Sequence, residues 1–315
     1  MATVIEITIL GAALYILIRA GGALVRTMTA MARFLRISEY ALSFILMALA
    51  TSLPELFIGI SSAARNAPLL SLGNIIGSNV LNVTLVLGAG VIAAGSLTIG
   101  KDAVRGEMGK MFALTFVPAI LLFDGELSRG DGALLLLLFV AYLVHLFYSN
   151  RVSPPVDGSA GEFGIGEFMR SFLFFFVNIF LVIGSSWFIV YEAERLAAGF
   201  GVPLFFIGLF VISFGTTLPE LVFNIRSSMS GYGEMSLGNS LGSVIFNISG
   251  ILGIVAIIQP VHVDDPLRAV SGLVITSILI FLIQLVLLLK GDISRGYGIG
   301  LIAISLLFLG IEAFL

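Results

Sequence analysis

Two glutamates, Glu55 and Glu220, each follow a proline inside a long apolar stretch of the sequence. A charged side chain at the centre of a membrane helix costs at least about 2.5–3.5 kcal/mol on insertion scales, so such a residue is expected to be functional. Pro54 and Pro219 each remove a backbone N–H and break or kink the helix, which frees carbonyl oxygens one turn earlier. The two Pro-Glu pairs therefore predict carboxylates and carbonyls gathered around a cation.

Neutral oxygens accompany the two carboxylates in both stretches. The freed carbonyls are expected near 47–50 and 212–215, and they are tolerated at that depth if they line a cavity or bind a cation. Hydroxyls precede each proline, and a second motif, SLGNxxGSxxxN, brings a serine and an asparagine onto one helical face because they are four residues apart. The predicted ligands are Glu55, Glu220, Asn82, Asn247, Thr51, Thr216, Ser52, Thr217, Ser78 and Ser243.

This predicted ligand set contains oxygen atoms only. The chain has no cysteine and two histidines, which excludes thiolate sites and argues against imidazole clusters. Hard oxygen ligands suit Ca²⁺, which takes 6–8 of them in flexible geometry, better than Zn²⁺ or Cu²⁺. Two carboxylates also balance a double positive charge.

A structural interpretation of the same residues stays open. Serines and glycines in membrane helices are commonly packing residues, because small side chains allow helices to approach closely. Asn82 and Asn247 could equally form hydrogen bonds that hold two helices together. The duplicated Pro-Glu pairs are the part of the pattern that packing explains least well.

Composition places these residues in a membrane protein. The chain has 315 residues, of which 58% are hydrophobic and 11% charged, whereas soluble domains carry roughly 25% charged residues. No basic patch suggests nucleic-acid binding, and no motif suggests an organic cofactor or an obligatory protein partner. Ten stretches are long and apolar enough to span a membrane. They are 4–26, 39–64, 70–95, 108–123, 132–149, 168–196, 204–228, 235–258, 269–289 and 297–314.

The first stretch is interpreted as a retained helix rather than a signal peptide, because its apolar run lacks preceding basic residues and a clear cleavage site. With ten helices, twelve of the 16 Lys and Arg residues fall on one side and four on the other. The basic side is expected to be cytoplasmic. The sequence therefore predicts a multi-pass protein of the plasma membrane with both termini outside.

An internal repeat organises the chain. Residues 50–88 and 215–253 align without a gap at an offset of 165, with 16 of 39 positions identical, including both Pro-Glu pairs. Each half would hold five helices, and an odd number inserts the second half the opposite way round. The predicted fold is all-α, with ten transmembrane helices in two inverted repeats, 1–149 and 168–315, and broken helices at the ion site. A cytoplasmic linker, 150–167, would join the repeats.

The paired motifs ATSLPE and GTTLPE, followed by SLGNIIGSNVLN and SLGNSLGSVIFN, resemble the two α-repeats of the cation/calcium exchanger superfamily, in its prokaryotic branch. The resemblance covers the whole chain. It implies a transporter and not an enzyme, one that extrudes Ca²⁺ against a flow of another cation by alternating access.

The identity of that other cation depends on two asparagines. Sodium-coupled members that this chain resembles commonly carry Asp at one of the positions of Asn82 and Asn247, whereas this sequence has Asn at both. The proton-coupled branch resembles the present arrangement, and two protons would neutralise two carboxylates as Ca²⁺ does. H⁺/Ca²⁺ exchange is therefore the first interpretation. Na⁺/Ca²⁺ exchange is the alternative, because the hydroxyls beside the prolines could form Na⁺ sites.

Two further classes of protein compete with an exchanger. A channel usually builds its pore from symmetric oligomers with rings of filter residues, which a repeat within one chain does not provide. A membrane enzyme could use two carboxylates as an acid/base pair. The duplicated neutral oxygens and the lack of a nucleophile favour ion binding over catalysis.

Overall fold

The structure is a computed structural model that describes residues 12–13, 15–16, 19–28, 30–31, 42–64, 66, 68–98, 107–149, 165–199, 213–263 and 266–314. The described residues are predominantly helical. The helices are α1, the helical residues described between 12 and 31; α2, Ser43–Thr51; α3, Leu53–Ala64; α4, Pro68–Ala94; α5, Met108–Leu121; α6, Arg129–Ser149; α7, Ile165–Gly199; α8, Ser213–Thr216; α9, Leu218–Met229; α10, Gly233–Ile258; α11, Pro266–Lys290; and α12, Arg295–Phe314.

Five of the described helical segments are long and apolar enough to cross a membrane. They are Ser71–Ala94, Arg129–Ser149, Ile165–Ser185, Gly233–Ile258 and Ala269–Lys290. A sixth span results if α2 and α3, which meet at an angle of 52°, are counted as one broken helix. The arrangement of ten helices in two inverted repeats stays a prediction, since parts of the expected stretches 4–26 and 204–228 lie outside the described residues.

Two boundaries differ from those expected from the sequence. The stretch 39–64 was predicted as one membrane span broken near Pro54, and the structure places that break at Ser52, between α2 and α3. Helix α7 corresponds to the predicted stretch 168–196, but it begins at Ile165 and extends to Gly199. The prediction followed the apolar residues alone, whereas the helix continues for three residues beyond them at each end. Most of the predicted linker, 150–164, lies outside the described residues.

The helices of the two halves correspond at the offset found in the sequence. Helices α3 and α9 begin and end exactly 165 residues apart, and so do the starts of α4 and α10. Helices α4 and α10 each contain one π-helical turn, at Asn82–Val86 and Phe246–Ile251. π-turns inside α-helices are frequent at functional sites, and these two contain the paired asparagines.

Close helix crossings are duplicated in the same way. A Cβ atom built on Gly88 of α4 would lie 2.9 Å from the carbonyl oxygen of Gly298 in α12. One built on Gly132 of α6 would lie 2.7 Å from the carbonyl oxygen of Gly253 in α10. Since 88 and 253 are 165 apart, the same backbone-to-backbone approach is used in both halves, and only glycine permits it.

Two short antiparallel ribbons connect the halves, and the sequence did not predict them. Strand β1, Ser96–Thr98, pairs with β4, Asp292–Ser294, while β2, Glu126–Leu127, pairs with β3, Val261–His262. Each ribbon lies at helix ends and joins one half to the other. The predominantly helical fold is otherwise as expected.

Burial distinguishes central from peripheral helices. The spans of α4 and α10 are mostly buried, whereas those of α6 and α7 expose most of their surface. Exposed apolar side chains on α7, such as Leu173 and Phe180, are suited to contact with lipid. The two central helices therefore carry the repeated SLGNxxGSxxxN motif at the middle of the protein.

Candidate functional site

Each of the two glutamates lies in the first turn of a helix that starts after a break. Helix α2 ends at Thr51, and Glu55 lies in the first turn of α3. Helix α8 ends at Thr216, and Glu220 lies in the first turn of α9. The N-terminus of a helix carries a partial positive charge that favours a carboxylate. The break expected from each proline thus places an acidic side chain where the backbone stabilises its charge.

The carbonyls one turn before each break make hydrogen bonds. The Thr51 hydroxyl donates to the carbonyl of Met47 at 3.1 Å, and the Ser52 N–H donates to that of Ala48 at 3.1 Å. In the second half the Thr217 hydroxyl donates to the carbonyls of Ser213 and Phe214 at 3.2 and 3.0 Å. A carbonyl oxygen has two lone pairs, so these groups can still face a cation. Ile212 lies outside the described residues.

The carboxylates of Glu55 and Glu220 are completely buried. Both side chains have a relative exposure of 0%, and the two groups are close enough to repel each other electrostatically. Within the described part of the chain, neither oxygen of Glu55 has a hydrogen-bond partner, and Oε2 of Glu220 has none. Buried polar atoms are normally satisfied, and a buried unpaired charge is costly. The arrangement can be stabilised by a cation or by protons.

Contacts around Glu220 combine residues from both halves of the chain. Its Oε1 accepts hydrogen bonds from the Ser52 hydroxyl at 3.4 Å and from the Ser243 hydroxyl at 3.5 Å. The hydroxyls of Ser78 and Thr216 lie 3.4 Å apart, again across the two halves. The structure therefore brings both Pro-Glu breaks and both serines of the second motif to one place.

The two asparagines of the motif are buried but differ in their contacts. Asn247 donates from Nδ2 to Oδ1 of Asn79 at 3.0 Å, which links α10 to α4. The Oδ1 atom of Asn247 and both amide atoms of Asn82 have no partner among the described residues. The amide of Asn247 thus holds two helices together, as the structural interpretation expects. The amide oxygens of Asn82 and Asn247 are left available to coordinate a cation.

A polar network beside the site was missed by the sequence analysis. Asn239 donates to Oδ1 of Asn224 at 2.8 Å, and Asn224 in turn donates to the hydroxyl of Ser240. The Thr51 hydroxyl reaches Oδ1 of Asn239 at 3.4 Å. Asn239 is identical to Asn74 in the repeat, so its duplication was a usable signal. Nothing in the sequence of the other half corresponds to Asn224, because Gly59 stands at the equivalent position.

The chemistry available here is that of hard oxygen ligands. No group of three or more Asp, Glu, His or Cys side chains in the described ranges is placed to hold a metal ion, so the charge of the site comes from two carboxylates. Hydroxyl, amide and carbonyl oxygens supply the rest. Such a set can hold Ca²⁺, which accepts many neutral oxygens, or a smaller charge such as Na⁺ or protons.

Known proteins with related sequences support a common fold and family. The family model described as "Sodium/calcium exchanger protein" matches residues 5–148 and 170–314. The inner membrane protein YrbG of Escherichia coli is 29% identical over 263 residues, covering 81% of this chain and 80% of YrbG. The sodium/calcium exchanger MaX1 of Methanosarcina acetivorans is 26% identical over 339 residues, covering 94% of this chain and 95% of MaX1.

Solved structures give the same result for the backbone. A structure of the sodium-calcium exchanger NCX_Mj superposes with a TM-score of 0.84 at 25% sequence identity, covering 98% of both chains. A structure of the same exchanger soaked without Na⁺ and Ca²⁺ also gives a TM-score of 0.84 at 25% identity. The likeness extends over both halves of the chain.

Proposed function

The chain belongs to the sodium/calcium exchanger family, and on that premise we propose that it is a secondary antiporter that exports Ca²⁺ in exchange for H⁺ by alternating access. The family consists of membrane transporters and not of enzymes. Membership therefore supports calcium transport by antiport as the activity of this chain. Relatives along the whole chain that are named as sodium/calcium exchangers support antiport as the mode of transport.

One observation carries the proposal: two completely buried carboxylates, one from each half, with three of their four oxygens unpartnered in the described residues. Ca²⁺ as substrate would balance both charges, and two protons would balance them equally. The site is therefore close to neutral in either loaded state, which lowers the cost of moving it between the two sides of a low-dielectric barrier. With neither load, two repelling carboxylates remain, and that state is disfavoured.

The proposed ligands are those that the sequence suggested. The carboxylates of Glu55 and Glu220 would bind Ca²⁺ or protons, and the neutral oxygens would complete the shell around Ca²⁺. These neutral ligands are Thr51, Ser52, Ser78, Asn82, Thr216, Thr217, Ser243 and Asn247. Contacts that cross between the halves, such as Ser52 with Glu220 at 3.4 Å, are long and weak, so they can exchange as access alternates.

Na⁺ as the counter-ion is a second candidate with its own support. Threonine hydroxyls and carbonyls at both breaks form a neutral oxygen set that suits Na⁺, and the relatives MaX1 and NCX_Mj are named as sodium/calcium exchangers. Asn at both 82 and 247 favours protons, because the site then holds two carboxylates and no third one that would need a further cation.

The proposed setting is the plasma membrane. Ten helices in two inverted five-helix repeats, 1–149 and 168–315, would place the linker 150–167 in the cytoplasm and both termini outside. The duplicated helix bounds and the duplicated glycine crossings support two equivalent halves. The distribution of Lys and Arg supports the orientation.

Imposing one gradient at a time on proteoliposomes tests the proposal. We expect an acidic lumen to drive Ca²⁺ uptake in Na⁺-free buffer. Protons carried out of the lumen are released to the outside solution, and the carboxylates freed there can bind external Ca²⁺. A Na⁺-loaded lumen at equal pH on both sides should drive none. Uptake is measured with radioactive Ca²⁺, and a protonophore together with a K⁺ clamp collapses the proton gradient as a control.

The other outcomes separate the alternatives. Uptake driven by the Na⁺ gradient alone would establish Na⁺/Ca²⁺ exchange in place of H⁺/Ca²⁺ exchange. Ca²⁺ entry that follows its own gradient and ignores both counter-ions would indicate a channel. Protein-free liposomes provide the leak that is subtracted in every case.

A further inference from the structure

Three arginines converge on a small pocket at a distance from the two glutamates. The pocket has a volume of about 100 Å³ and is lined by Arg19, Gly22, Arg26 and Arg226. Positions 19, 22 and 26 lie on one face of α1, because they are three and four residues apart. Arg226 projects from α9, which α1 contacts where Gly21 packs against Val222. The pocket is thus formed by two helices in direct contact.

These arginines have no carboxylate partner among the residues that the structure describes. Among the described residues, no carboxylate forms an ion pair with Arg19, Arg26 or Arg226. Arg226 lies in the last turn of α9, where its positive charge is stabilised by the partial negative charge of the helix C-terminus. That effect accounts for Arg226 but leaves the approach of the two arginines of α1 unexplained. Three like charges around one pocket repel, and an anion bound between them would relieve that repulsion.

The pocket is not part of the duplicated framework. At an offset of 165, Arg226 corresponds to Ser61, while Arg19 and Arg26 correspond to Gly184 and Tyr191. The residues that build the two Pro-Glu breaks recur in both halves, but none of these arginines has an arginine at the equivalent position of the other half. Arg226 lies six residues after Glu220, which is about 9 Å along the helix. The pocket is therefore separate from the ion site and lies on one side of the protein.

We propose that this pocket binds a phosphate-bearing anion, and that its source is the headgroup of an anionic phospholipid. Guanidinium groups match phosphate oxygens with paired N–H donors. Basic pockets between membrane helices on the cytoplasmic side are suited to lipid headgroups, and the proposed ten-helix topology places the three arginines on that side. A volume of about 100 Å³ holds roughly three water-sized groups, which is enough for one phosphate group.

Gly22 offers a test that leaves the fold intact. A Cβ atom built on Gly22 meets nothing within 4 Å, so a longer side chain can enter the pocket without displacing α9. Gly22→Glu places a carboxylate among the arginines, and Gly22→Gln places a neutral side chain of the same size there. Arg226→Gln removes one of the three charges. Arg129→Gln, at an exposed arginine of α6, is the control for the loss of a positive charge elsewhere.

Native mass spectrometry of the purified protein, titrated with phosphatidylglycerol or phosphatidylcholine, measures the binding. We expect wild type, Gly22→Gln and Arg129→Gln to bind phosphatidylglycerol at least tenfold more tightly than phosphatidylcholine. Gly22→Glu should lose this preference, and Arg226→Gln should weaken it at least threefold. Thermal unfolding midpoints within a few degrees of wild type show that each variant is folded.

Two results would overturn the proposal. Equal preference for phosphatidylglycerol in wild type, Gly22→Glu and Arg226→Gln would show that the arginines bind no lipid phosphate. Stabilisation of wild type by millimolar inorganic phosphate, without retained phospholipid and with the effect lost in Arg226→Gln, would assign the pocket to a soluble anion instead. If both Gly22 variants lose binding, filling of the pocket by their added side chains is a sufficient explanation, and Arg226→Gln, which adds no bulk, then decides. Weaker binding in Arg226→Gln supports the proposal, and unchanged binding overturns it.

Discussion

Glu220→Gln is expected to abolish Ca²⁺ transport in a protein that still folds. The substitution keeps the shape of the side chain. The new amide oxygen can accept the hydrogen bonds that the Ser52 and Ser243 hydroxyls donate to Oε1 at 3.4 and 3.5 Å. It replaces the unpartnered Oε2 with a neutral NH₂ group. The fold therefore loses little, whereas Ca²⁺ loses one of two anionic ligands in a completely buried site. We expect transport to fall at least about 100-fold, since a buried charge partner contributes several kcal/mol.

Radioactive Ca²⁺ uptake in proteoliposomes measures this effect, with thermal unfolding of the same preparation as the check on folding. Glu55→Gln should give the same loss, because neither oxygen of Glu55 has another partner in the described residues. Glu167→Gln removes an exposed carboxylate from the first turn of α7 and should transport as wild type does. Residual transport above about a tenth of wild type in either buried variant would contradict the assignment of the ion site.

The broken helices and the paired glutamates could be predicted because their causes are local. Proline cannot donate a backbone hydrogen bond, so Pro54 and Pro219 predict a break wherever they occur inside an apolar stretch. The breaks fall at Ser52 and Thr217, two residues before each proline. Duplication of the motif at an offset of 165 then predicted that the structural elements would recur, which the bounds of α3 and α9 confirm.

The contacts between the halves could not be predicted in the same way. Asn79 binds Asn247 across α4 and α10, yet the residue equivalent to Asn79 in the second half is Val244, so no repeat marks it. Which asparagine pairs with which depends on the relative height of two helices, and that is set by the packing of the whole protein. The two ribbons were missed because strands of two or three residues are too short to show an alternating pattern.

Glycines in membrane helices are expected to allow close helix packing, and the structure shows which helices one pair of motif glycines brings together. Gly77 and Gly242 occupy equivalent positions in the motif SLGNxxGS. A Cβ atom on Gly242 would meet α2, and one on Gly77 would meet Ser213 of α8, so each glycine contacts the broken helix of the other half. Their role is to let the central helices approach the breaks, which determines the spacing of the ion site.

Gly242→Ala is therefore expected to impair the protein far more than Gly77→Ala. The added methyl on Gly242 would lie 2.7 Å from both the Ala48 Cβ and the Phe44 carbonyl oxygen, and these atoms cannot rotate away. On Gly77 the nearest atom is the Ser213 hydroxyl at 3.2 Å, which can turn aside. Overpacking typically costs about 1–3 kcal/mol, and a displaced α2 would misplace the ligands beside Glu55.

We expect Gly242→Ala to lower Ca²⁺ uptake at least about tenfold and to reduce the thermal unfolding midpoint, because the gain in helix propensity from alanine, about 1 kcal/mol, does not offset the clash. Gly77→Ala should retain at least about half of wild-type uptake. The two variants make the same chemical change at equivalent positions of the repeat, so each is the control for the other. Equal effects at both positions would show that the backbone contact of Gly242 with α2 does not set the geometry of the ion site.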